Sequence, residues 1–78
     1  MKFPSREQIE RLRKEYSAGT VVELVEMQDS QAPPARTLGT VLGVDDAGSI
    51  LVRWQSGSSL SLIPEVDSFR IVKEAHHE

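Results

Sequence analysis

"GTVLGVDDAGSILVRWQSGSSLSLIP", residues 39–64, alternates short apolar runs with clusters of Gly, Asp and Ser. Its apolar period is two. Ile50, Val52 and Trp54 point one way and Leu51 and Arg53 the other, the pattern of a half-buried strand. "DDAG" (45–48) has the composition of a tight hairpin turn, with Gly48 supplying the positive φ that the return requires. "QSGS" (55–58) reads as a second such turn. The stretch therefore predicts consecutive antiparallel strands at 38–44, 49–54 and 59–63, with Leu60 and Leu62 inward. Gly43 inside the first of these predicts a bulge or strong bend.

The flanks extend the same pattern. "TVVELVEM" (20–27) is an earlier strand, with Val22 and Leu24 on one face and Val21, Glu23 and Val25 on the other. "QDSQAPPART" (28–37) has no period and contains Pro33-Pro34, which makes it a loop of stiff, extended backbone. "PEVDS" (64–68) reads as one helical turn opened by Pro64, "FRIV" (69–72) as a last strand, and "KEAHHE" as a fraying tail. Before all of these, "PSREQIERLRKEY" has the period of a helix, with Ile9, Leu12 and Tyr16 on one face. Ser5 and Gln8 form the S-x-x-Q capping box, and Gly19 is the expected stop. A helix this short is marginal alone, so its apolar stripe must dock on the strands.

The expected fold is mainly β: a small five-stranded SH3-like barrel carrying an N-terminal amphipathic helix. The expected division is a helix over 1–18, the barrel over 19–73 and a frayed tail over 74–78. At 78 residues the chain suits one domain, burying about 60–65% of its unfolded surface, without disulfides because it has no cysteine. Its apolar runs are far shorter than the ~20 residues needed to cross a bilayer. The dense charge near the N-terminus argues against a signal peptide, and the expected location is cytoplasmic.

The net charge of −3 is unevenly placed. Residues 1–18 hold five basic residues against three acidic ones, and residues 19–78 hold four against nine. Non-specific nucleic-acid binding needs a dense cationic footprint, which the acidic body opposes.

Taken together, "PSREQIERLRKEY", "GTVVELVEM" and the pieces GTV, GVDD, GSSL, LIP and VDSFR resemble a family of small bacterial proteins known as domain of unknown function 4314. The resemblance covers about residues 4–71. It implies an SH3-like fold and a setting on phages or other mobile elements. It carries no established activity and no functional residues.

Candidate chemistry is sparse. Asp45-Asp46 offers two oxygen ligands to a hard cation, but adjacent Asp residues also cap turns, and the turn is the expected role, with no metal bound. Trp54 either fills the barrel or lines a groove for an extended peptide; its phase with Ile50 and Val52 favours packing. Arg6, Arg13 and Lys14 are interleaved with Glu7, Glu10 and Glu15, as on an ordinary solvated helix face. Ser56, Ser58, Ser59 and Ser61 lack a nucleophile elbow, and His76 and His77 lie in the tail, so no enzyme and no cofactor are expected.

The expected function is non-catalytic protein binding, by a small regulator from a phage or mobile element that possesses a role against a host defence system. The expected contact surface is acidic, built from Glu26, Asp29, Glu65 and Asp67 with Pro33, Pro34 and Trp54 as apolar patches, and suited to a basic protein partner. The alternative is a nucleic-acid-associated module using the basic N-terminal helix.

Overall fold

The computed structural model describes residues 4–75. Helix α1 spans Arg6–Glu15. The Gln8 amide donates to Ser5 Oγ (3.2 Å) and the Ser5 amide to Gln8 Oε1 (2.8 Å), completing the expected capping box. Glu7 in the first turn and Arg13 and Lys14 in the last complement the helix dipole. The helix stops at Glu15, earlier than Gly19 predicts. The Tyr16 amide closes it on Leu12 O, and the Gly19 amide instead donates to Val41 O (2.8 Å), so the chain leaves the helix to join the sheet.

Four strands follow: β1 (Val21–Glu26), β2 (Leu38–Val44), β3 (Ile50–Trp54) and β4 (Ser68–Lys73). They form one open antiparallel sheet in the order β3-β2-β1-β4. The inner face buries Val22, Leu24, Val41, Val44, Ile50, Val52 and Trp54, with Leu62 packed among them. Leu12 and Tyr16 bring α1 onto this core, and the Tyr16 ring meets Phe69 at a centroid distance of 5.5 Å and a tilt of 60°. The expected bulge is present as a register shift between Val41 and Gly43.

The expected fifth strand, 59–63, does not form, so the protein is mainly β with a four-stranded open sheet. Ile50 and Leu62 exchange both backbone bonds at 2.8 Å, and that bridge is isolated. The next pair in such a ladder would be Val52 with Leu60. However, Leu60 O accepts the Trp54 indole N–H (2.8 Å), and the Leu60 amide donates to Ser58 Oγ (3.2 Å). Local side-chain bonds take the groups a strand would use.

The 45–48 turn and the turn after Ile63 adopt their expected roles. The Asp45 amide donates to Ser49 O (3.0 Å), and Asp45 Oδ1 accepts from the amides of Ala47 (3.0 Å) and Ser49 (2.9 Å). Gly48 sits at φ +87°. Residues 64–66 make the expected helical turn, with the amides of Val66 and Asp67 donating to Ile63 O.

Candidate protein-docking surface

The β1–β4 register sets Glu26 opposite Ser68, which brings the end of β1 beside the 64–67 turn. Glu26 and Glu65 are exposed there, and Asp67 is half-buried. Asp67 also has a structural task, since its Oδ2 accepts the Ile63 amide (2.8 Å) and closes the turn. Asp29, three residues beyond Glu26, is exposed and uses Oδ1 to accept the Gln31 amide (2.7 Å).

The apolar part of the expected surface is not where the sequence places it. Trp54 is 2% exposed and belongs to the core, with its indole N–H satisfied by Leu60 O. Pro33 is buried and only Pro34 is exposed. The loop itself is anchored to β1: the Leu24 amide donates to Thr37 O (2.9 Å) and the Arg36 amide to Leu24 O (2.7 Å).

Exposed apolar side chains instead come from the turn. Ile63 is 49% and Val66 62% exposed, and both line a groove of about 930 Å³ between the turn and α1. Pro4 and Leu12 supply apolar surface on the helix side, and Ala47, Gly48 and Ser49 also line the groove. The charged rim is Arg11, Glu15 and Glu65. A faint sequence signal exists for this groove. With Leu60 and Leu62 inward, Ile63 falls out of phase and must face outward.

Arg13 is exposed on the helix face, as expected, and also reaches across to the sheet. Its Nε donates to Val44 O (3.1 Å) and its Nη2 to Asp46 Oδ1 (2.9 Å), tying α1 to the 45–49 turn. Its Asp46 partner is fully exposed, so the ion pair adds little stability; the bond to the Val44 carbonyl fixes the position. At the C-terminal cap of α1, burial raises the Tyr16 phenol above its usual range, and the Glu15 carboxylate adds to the rise. His76 and His77 lie outside the described residues.

A mainly β domain whose N-terminal helix and last turn enclose an apolar groove is thus the object to be classified. The chain belongs to the family described as Domain of unknown function (DUF4314), which matches residues 5–72. No curated protein and no solved structure matches it. No helix among the described residues is long and apolar enough to cross a membrane.

Proposed function

We propose that this protein is a non-catalytic protein-binding module that takes a basic, amphipathic segment of a partner. The observation that supports this most is the pair Ile63 and Val66, about half exposed on a turn whose backbone Asp67 holds in place. Two aliphatic side chains on a fixed turn lose little freedom when covered, which favours binding. Glu15 and Glu65 outnumber Arg11 on the groove rim and, with Glu26 beyond them, are complementary to Lys or Arg flanking an apolar anchor. The nucleic-acid alternative loses force because Arg13 is engaged within the fold.

The isolated Ile50–Leu62 bridge and the helical turn before β4 support reading the sheet as a relative of the SH3-like barrel. A cytoplasmic regulator from a phage or mobile element, acting on a host protein, fits that reading and the family resemblance.

The test is selection of a random peptide library on the wild-type protein, with a folded Ile63→Ser, Val66→Ser variant as the counter-target. Enriched peptides should combine Lys or Arg with two or more aliphatic or aromatic residues, and should lose at least ten-fold in affinity for the variant. Equal binding to both proteins would remove the groove from consideration. Salt-sensitive DNA binding would favour the alternative.

A further inference from the structure

A second depression, on the opposite side of β1 from the core, is lined by two arginines. It has a volume of about 500 Å³, and Arg36, Arg70, Glu23, Val25 and Ala35 form its walls. Glu23 is the ion-pair partner of Arg70 (2.5 Å), so that guanidinium is oriented and its charge largely balanced. Arg36 has no hydrogen-bond or ion-pair partner for its guanidinium among the described residues. Its backbone, in contrast, is fixed by the bond from its amide to Leu24 O.

Arg36 is also the one non-glycine residue among those described with a positive φ, at +74°. A long side chain is disfavoured there, whereas glycine adopts this conformation readily. Strained residues concentrate at binding sites, where the surroundings hold them. Here the strain sets an unpaired guanidinium fork at the mouth of a cleft whose other charges nearly cancel.

From this we infer that the Arg36–Arg70 cleft binds a carboxylate carried beside an aliphatic side chain, such as the C-terminal residue of a peptide. Two arginines and one glutamate leave a single net positive charge, which matches a monoanion. A planar carboxylate can accept two parallel N–H bonds from the Arg36 fork. Val25, 51% exposed, and Ala35 offer apolar surface to the adjoining aliphatic group. Phosphate, a mixture of monoanion and dianion near pH 7, meets more repulsion from the Glu23 carboxylate and finds no use for the apolar wall.

The cleft is separate from the groove between α1 and the turn, so either can fail without the other. The test is NMR titration of the full chain with acetyl-leucine, acetyl-leucine amide and inorganic phosphate, following the Arg36 and Arg70 Nε–H signals. Acetyl-leucine should give saturable shifts at both arginines. The amide should give none, and phosphate should bind at least five-fold more weakly. Arg36→Gln should weaken acetyl-leucine binding at least ten-fold. Arg36→Gly should abolish it while the melting temperature stays the same or rises. Val66→Ser should leave it unchanged. Equal shifts from acid and amide, tighter binding of phosphate, or full binding by Arg36→Gln would each overturn the assignment. A drop in melting temperature for Arg36→Gly would show that the arginine serves the fold, and would also overturn it.

Discussion

The two turns that follow β2 and β3 are both short and contain glycine, and they have opposite consequences. In the 45–49 turn, Asp45 bonds the amides of Ala47 and Ser49 within the turn itself, and the flanking strands remain free to pair. In the 55–61 segment, Ser58 bonds the Leu60 amide and the Trp54 indole bonds the Leu60 carbonyl, on the very residue that would continue the ladder. One turn builds a hairpin of five Cα-paired positions, from Gly39–Trp54 to Val44–Ile50; the other is followed by the single Ile50–Leu62 bridge. A turn's local bonds decide whether its exit becomes a strand. Ile63, one residue past the bridged Leu62, faces outward and with Val66 forms one side of the groove.

The largest break in this contrast is expected at Gly39, which pairs with Trp54 across β2 and β3. A Cβ there would overlap Val52 Cγ1 and lie 2.7 Å from Trp54 Cε3, a contact with the rigid ring that anchors both regions. Gly39→Ala should cost about 3 kcal/mol or more, the upper end of overpacking, and read as a large drop in denaturation midpoint.

Gly48→Val acts on the first turn alone. It places a β-branched residue at φ +87°, with its Cβ 2.9 Å from Pro4 Cγ at the helix entrance. The expected loss is about 2–3 kcal/mol by chemical denaturation. Trp54→Phe acts on the second region. It keeps a ring in the core and strips Leu60 O of its donor, for an expected loss of about 1–3 kcal/mol. Asp46→Asn should change stability by less than about 0.5 kcal/mol, because its ion pair with Arg13 is exposed. A loss from Asp46→Asn comparable to that from Gly48→Val would mean that Asp46, not the backbone geometry, holds the first turn.

What was legible in the sequence is what short-range chemistry determines. The Ser5–Gln8 box, the alternation in β1 and β3, the Asp45–Gly48 turn and the core phase of Trp54 all depend on residues within a few positions of one another. The segment 59–63 has the alternation of a strand but does not form one, because the Leu60 backbone groups are taken by Ser58 and Trp54. Gly39 under the indole and Arg13 on the Val44 carbonyl were invisible for a different reason: each meets atoms far along the chain. For the candidate surface, the Glu26–Ser68 pairing puts Glu26 beside the turn that carries Glu65 and Asp67, whereas Trp54 and Pro33 are buried and Ile63 and Val66 are exposed.

The arrest of the ladder at a single bridge by local bonds can be tested directly by amide hydrogen exchange at four residues, Ile50, Leu62, Val52 and Leu60. The Ile50 and Leu62 amides, bonded to each other's carbonyls at 2.8 Å, should exchange slowly, near the rate of global opening. The Val52 amide, on the same edge of β3, and the Leu60 amide, bonded to a serine hydroxyl, should exchange at least a hundred-fold faster, an order-of-magnitude expectation for groups freed by local opening. Equal protection at all four would mean that 59–63 is a full fifth strand, and would contradict the claim that Ser58 and Trp54 take the backbone groups the strand would use.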